Sequence, residues 1–480
     1  MTTRDRPPIQ SGSSGHSCPK INTLTMFRLG LFQMGLGVLT VLTVGVLNRV
    51  MITELSIPEA ITSTVLAISL LVAPARIWVG QVSDAKPLGR YHRTGYVWIG
   101  AACFMAILLA AVQVVWQLGA LVQLNGGWSW TTPIIGWTAL LALLMGLYGL
   151  VTSLSSTSFF ALLVDVSDDD DRGKLIGIVW TMLMVGLAIG GISSKILLSP
   201  LDDINASIDL VQRSVTHLFW VVPLIVFGLA IAATVGVETK YSRYSYRSMA
   251  VNREDQITLG AALRVLTASR QTVIFFVFLL MMTFSLFLQE TVLEPYGGEV
   301  FQMSIPETSL LNTYWAIGLL LSLSATGFFL IPRLGKRRTT KLGCLAVAFS
   351  FFLIILSGFT ANENMLRLAL VLFGMATGIL TTGALSLTLD LTAAETAGTF
   401  SGAWGLAQSM ARGVAVAGGG YVLGFGKMIF DSPVLAYGVV FSLQAIGMVL
   451  AIGVLNRVNV QEFRSTTNEA IATVLKNDLD

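Results

Sequence analysis

Cysteine, histidine and charge are all scarce in this chain. Its 480 residues hold three cysteines, Cys18, Cys103 and Cys344, without paired or metal-ligand spacing. Neither a disulfide framework nor a zinc site is indicated. The three histidines, His16, His92 and His217, are equally dispersed, and only His217 falls near an apolar run. Asp, Glu, Lys and Arg together make up 12%, about half of what a soluble domain carries. A net charge of +3 is too small and too dispersed to imply nucleic acid. No nucleophile–base pair, phosphate loop or metal cluster emerges, so the chain is not read as an enzyme. The acidic run Asp168-Asp169-Asp170-Asp171 lacks EF-hand spacing and reads as a hydrated cap on the helix that follows.

What the chain has instead is apolar length. Hydrophobic residues make up 54%, and the mean hydropathy is +0.74. Runs long enough to cross a hydrocarbon core of about 30 Å as helices fall at 24–47, 59–80, 95–116, 134–160, 175–198 and 217–237. Six more follow at 272–289, 309–331, 341–359, 365–389, 399–424 and 434–455. The expected fold is an all-α membrane protein of 12 transmembrane helices in two six-helix halves, 24–237 and 271–456. Residues 1–23, polar and without an apolar core, read as a disordered tail and not a cleaved signal. Residues 238–270 read as a linker with a short amphipathic stretch at Leu259–Leu266, and 457–480 as a second tail. With both tails inside, 23 of the 30 Lys and Arg fall on cytoplasmic segments and 5 on outward ones, Arg76 and Arg412 remaining in or near spans. That asymmetry puts the tails and the linker in the cytoplasm.

The halves read as copies. Asp165 closes span four and is followed at offsets of 8 and 12 by Gly173 and Gly177. Asp390 closes span ten and is followed at the same offsets by Gly398 and Gly402. Between spans two and three stand Arg76, Gly80, Asp84, Gly89, Arg90 and Arg93. There a glycine lets helices approach, while an aspartate can accept from helix N-termini and bind an arginine of a neighbouring span. Gly335-Lys336-Arg337-Arg338 is a degraded counterpart without the aspartate. Six-plus-six duplication with this loop resembles the major facilitator fold.

The first apolar run ends in Leu47-Asn48-Arg49-Val50-Met51-Ile52-Thr53-Glu54-Leu55. An arginine and a carboxylate this close at a bilayer boundary can pair and offset each other's desolvation; a plain interfacial anchor uses the same residue types. Span seven is followed by Gln289-Glu290 and then Leu293-Glu294-Pro295-Tyr296-Gly297-Gly298. Span eleven opens with Gly402-Ala403-Trp404-Gly405-Leu406-Ala407-Gln408, with Arg412-Gly413 behind. Together with Ala73-Pro74-Ala75-Arg76, these stretches resemble the PucC/LhaA family, the bacteriochlorophyll delivery branch of the major facilitators, over roughly residues 24–455. The resemblance implies a role in assembling light-harvesting or other chlorophyll-binding proteins by handling or delivering pigment, in a thylakoid or bacterial inner membrane. It implies chlorophyll or bacteriochlorophyll as a transient guest, and chlorophyll-binding membrane proteins and pigment-biosynthesis enzymes as partners. Ala75 stands where the proteobacterial pattern has Phe, which points to a cyanobacterial-type homologue. So few histidines argue against a static antenna subunit. A secondary transporter of a small apolar or amphipathic solute is the other reading.

Among the polar residues, Arg412 stands out, because an unpaired arginine midway along a span costs about 3 kcal/mol on insertion. No Asp or Glu lies near the middle of any span, so its partner must come from a span end or from backbone carbonyls. Gln408 and Trp404 on the same helix complete an expected contact with pigment or client. Gly402, Gly405, Ser409 and Gly413 give that helix a small face for close packing. Asn48, Arg49, Glu54, Gln289, Glu290, Glu294 and Tyr296 are expected to line an outward rim, with Tyr296-Gly297-Gly298 in a tight turn. The lack of a titratable group at midspan favours uniport or a non-transport role, leaving only end-located glutamates to couple protons.

Overall fold

The computed structural model describes residues 20–75, 88, 91–202, 206–242, 270–390 and 397–458. Among these the regular structure is helical throughout. Helix α1 (Thr23–Thr40) continues through π-helical turns at Val41–Leu47 and Val50–Glu54. There follow α2 (Glu59–Leu71), α3 (Thr94–Leu124), α4 (Thr132–Val166), α5 (Asp169–Leu197), α6 (Ile208–Thr234) and the short α7 (Val237–Tyr241). The second part holds α8 (Arg270–Phe287), α9 (Leu293–Phe301), α10 (Ile305–Ser309), α11 (Leu311–Ala325), α12 (Ile331–Leu334), α13 (Lys336–Thr360), α14 (Glu363–Asp390), α15 (Ala397–Ile429) and α16 (Pro433–Leu455). Among the described residues, nine helices are long and apolar enough to cross a membrane. Apolar stretches at Glu59–Leu71 and Val273–Phe287 are shorter, and α15 adds a rod of 33 residues.

Local chemistry sets the ends. Asn22 Oδ1 accepts the Thr25 N–H at 2.8 Å and starts α1. Ser304 and Glu307 form a reciprocal capping box on α10. Asp168 stands at the N-cap of α5, its carbonyl accepting from the Arg172 N–H at 2.9 Å. Gly236, at φ 72°, breaks the chain between α6 and α7, a conformation that costs other residues a clash at Cβ.

Two helices outrun their apolar runs. α3 continues to Leu124, shortening the loop expected at 117–133, because Leu118, Gly119 and Val122 keep a buried face turned inward. α6 starts at Ile208, more than two turns before the expected 217, with Val211 and Val215 buried while Asp209, Gln212 and Arg213 face out. An amphipathic beginning of this kind is hidden from a count of consecutive apolar residues.

The buried side chains form two large apolar cores. One draws on residues from Ile21 to Tyr241 plus Ile305, the other on Phe275 to Val458. Within the first part, Gly37 and Gly186 bring the backbones of α1 and α5 together; Gly318 and Gly374 do the same for α11 and α14. Between the parts, α2 crosses α15 where Gly420 faces Ser63 Oγ and the Glu59 carbonyl, and α5 crosses α11 where Gly191 faces Thr313 and the Ser309 carbonyl. Small residues let helices approach without an apolar filling. Of the expected small face of span eleven, Gly413 packs against the Leu70 and Leu71 side chains of α2 while Gly405 faces open space among the described residues; Gly402 lies outside the described side chains, and the closest approaches to backbone fall farther along, at Gly419 and Gly420.

Candidate functional site

The polar residues gather at one end of the bundle, the apex, opposite the base, where Arg28 donates to the Val235 carbonyl in the first part and Arg337 to the Leu455 carbonyl in the second. At the apex, α1 runs on as π-helix into Asn48 and Arg49. Asn48 is fully buried and donates to the Thr291 carbonyl at 2.8 Å, in the turn between α8 and α9. Arg49, also buried, donates to the Met303 carbonyl at 3.2 Å and lies 3.5 Å from Glu54. Gly298 receives the guanidinium; a Cβ there would overlap it. Thr291 Oγ1 is 3.3 Å from Ser63 Oγ and donates to the Val416 carbonyl at 3.2 Å. This seam therefore sews α1 and α2 to α8, α9 and α15 with hydrogen bonds to fixed carbonyls.

Two further ion pairs border it. Arg412 of α15 grips Glu290 in the α8–α9 turn through Nε at 2.8 Å and through Nη2, and its guanidinium lies 4.5 Å above the centre of the Phe287 ring. The partner comes from just past the end of a helix, and a planar fork on a carboxylate is the geometry in which arginine bonds strongly. Gln408, one turn away, is half-buried. Lys427 of α15 bridges Glu59 of α2 at 2.5 Å and Glu299 of α9 at 2.8 Å. Sequence reasoning missed this triad; the only clue is that Lys427 is one of the few basic residues outside the base-side loops.

Some expectations change. Leu293 to Gly298 is not a tight turn but the start of α9, in which Gly297 lets Leu311, Thr308 and Met303 close in. Tyr296 is not on a rim: it is 1% exposed, donates to the Ile354 carbonyl at 2.8 Å and packs 5.0 Å from Phe441 and 5.3 Å from Tyr437. Glu294 is also buried, at 1% exposure, and so belongs inside the seam. Gln289 is half-buried in the same turn. His217 lies apart, on the α3–α6 flank, in an open hollow of about 610 Å³ with Gln113, Arg213 and Trp220.

At the base, Arg93 pairs with Asp165 at 3.2 Å, both nearly buried. Glu238, expected at the head of a solvated linker, turns back instead and takes the backbone N–H groups of His92 at 2.6 Å, Arg93 at 3.2 Å and Thr94 at 2.7 Å, capping α3. A carboxylate on the backbone N–H groups that open a helix is favoured by both charge and hydrogen bonding. Glu238→Ala removes the carboxylate from these backbone N–H groups and should lower stability by about 2 kcal/mol in denaturant or thermal unfolding; an unchanged midpoint would deny the cap any weight. Arg76, Gly80, Asp84, Gly89 and Arg90, and the stretch at 259–266, lie outside the described residues, as do the side chains of Asp390 and Trp404.

Residues 46–463 match the family model described as PUCC protein. The chain belongs to the PUCC family. Protein PucC of Cereibacter sphaeroides is 29% identical over 429 residues, covering 88% of each chain. The bacteriochlorophyll synthase 44.5 kDa chain of Rhodobacter capsulatus is 28% identical over 438 residues, 89% of this chain and 94% of that one. Solved structures with the same fold include the nucleoside transporter NupG (TM-score 0.65, 14% identity, 91% of this chain and 98% of that one). A bacterial homologue of the iron transporter ferroportin in an inward-facing state matches at TM-score 0.63 and 14% identity, over 90% of this chain and 97% of that one. This PUCC family member is thus a multi-pass integral membrane protein with the major facilitator architecture of transporters.

Proposed function

We propose that this protein is a membrane assembly factor for chlorophyll- or bacteriochlorophyll-binding light-harvesting or photosystem proteins, and that it handles or delivers their pigment. The observation that carries the reading is the family match across residues 46–463, which takes in every seam residue described above. In this reading the chain crosses the membrane twelve times, with α2, α8 and α15 completing the nine longer helices. Its base faces the cytoplasm and its apex faces outward. The pigment is a passing guest and not a resident cofactor, the clients are chlorophyll-binding proteins together with pigment-biosynthesis enzymes, and the protein catalyses no reaction of its own. The Ala75 departure makes it a cyanobacterial-type member working on chlorophyll.

Mechanistically, a cleft between the two halves receives the pigment or a nascent pigment-binding helix. Arg412, one-third exposed beside Phe287, offers donors to a carbonyl or ester oxygen and an aromatic face to a flat ring. Gln408, one turn from Arg412, extends that wall. The Arg49 and Lys427 clusters hold the apex shut behind it.

Gentle affinity purification from the native membrane, with an absorption spectrum and identification of co-eluting proteins, tests this directly. Chlorophyll with pigment-binding subunits is the expected result; a colourless, partner-free preparation refutes it. Glu54→Gln and Lys427→Gln should reduce client assembly several-fold at unchanged protein level, and an equal fall in protein level would sink that claim. The likeness to transporters favours a second reading, secondary transport of a small apolar or amphipathic solute, which predicts saturable flux in proteoliposomes.

A further inference from the structure

Glu294 takes no part in the apex ion pairs. Its Oε1 accepts from Asn312 Nδ2 of α11 at 2.5 Å, while Oε2 has no hydrogen-bond partner among the described residues. Gly45, in the π-helical part of α1, makes room for it: a Cβ there would stand 3.4 Å from Oε1 and 3.5 Å from Asn312 Nδ2. Of the Arg49 guanidinium only Nη2 is engaged, by Met303 and Glu54; Nε and Nη1 have no hydrogen-bond partner among the described residues, and neither bonds Glu294. A buried carboxylate with one side-chain donor is poorly compensated, whereas the neutral acid is not. Widened helical turns of this type recur at functional sites.

The charged and titratable neighbours do not reverse that balance. The extension of α1 brings Arg49 and Glu54, and the α8–α9 turn brings Glu290, itself gripped by Arg412 of α15. Glu59 of α2 and Lys427 of α15 meet Glu299 farther along α9, with Tyr437 of α16 beside Lys427. Glu307 of α10 is engaged in its capping box. α9 lies beyond the apolar helix α8 and outside the candidate spans. Burial pushes the Glu294 carboxyl up to about 8, Glu290 acting in the same direction and its own backbone N–H, Asn312 and Arg49 against it.

We propose that Glu294 is a proton-binding site of the closed apex, neutral while α1, α9 and α11 stay packed and releasing its proton when they part. This goes beyond pigment handling and holds whichever guest the cleft takes. The sign follows from linkage. The closed form holds the proton more tightly than a hydrated one, so closure is at full strength below the ordinary value of 4.5 and weakens up to about 8. Within that window the closed-to-open ratio falls about tenfold per pH unit.

The test is pH-difference infrared spectroscopy of the full chain in lipid nanodiscs. The wild type should lose a protonated carboxylic C=O band on going from about pH 6 to about pH 9, and Glu294→Gln should lack that band. A band that persists in Glu294→Gln, or none in the wild type, overturns the proposal. Should Glu294→Gln fail to accumulate, two neighbours carry the test with opposite signs. Glu290→Gln removes a like charge and frees Arg412, so the midpoint falls; Asn312→Ala removes a donor to the carboxylate, so it rises. Midpoints that stay together overturn the assignment equally.

Discussion

Replacing Gly420 with leucine should lower the unfolding free energy by about 2 kcal/mol or more, while Gly405→Leu in the same helix should change it by less than about 0.5 kcal/mol. The difference lies in what the new side chain meets. At position 420 the first added carbon already overlaps Ser63 Oγ and the Glu59 carbonyl, one of them fixed backbone, so α2 and α15 must separate. Their separation also pulls Glu59 away from Lys427. At position 405 nothing among the described residues lies within 4 Å. Denaturant or thermal unfolding of the purified protein checks both, and equal effects would show that the α2–α15 crossing contributes no specific packing.

Arg412→Ala should be more damaging alone than together with Glu290→Ala. The single change leaves a carboxylate, 11% exposed, without its counter-ion. Breaking a buried pair on one side costs about 3–5 kcal/mol; because the Arg412 side chain is one-third exposed, about 2–3 kcal/mol is the better expectation here. Removing Glu290 as well takes away the stranded charge, and more than half of the loss should return. A double variant as unstable as the two single losses added together would mean that the pair is uncoupled. The same double variant separates folding from function: with stability restored, it should still fail to co-purify with pigment, since the donor fork is gone.

How much of this was legible in the chain differs by residue. Nine of the twelve apolar runs lie on helices that, among the described residues, are long and apolar enough to cross a membrane, because an apolar stretch of about 20 residues is a local property. The Asn48–Arg49 patch and Arg412 were visible as polar residues where polar residues are costly. Partners were not. Glu290 and Arg412 are separated by 122 positions, and nothing in the spacing of either points to the other. Glu238 caps a helix that begins 144 residues earlier, so it reads locally as one more charge in a polar connection. Gly297 and Gly298 are turn-forming residue types, yet the neighbours that press on this stretch make a helix, an override of local preference by tertiary packing. Gly405 and Gly420 look alike in sequence; only the passing of α2 distinguishes them.

The separation into two apolar cores has a consequence for synthesis at the ribosome. Every buried apolar residue of the first core except one is contributed by residues 21–241, so that core can be completed while the second part is still being made. The exception is Ile305, carried on α10 beyond the seam yet packed with the first core. It acts as a latecomer's key: its arrival registers the second half against a first half already built.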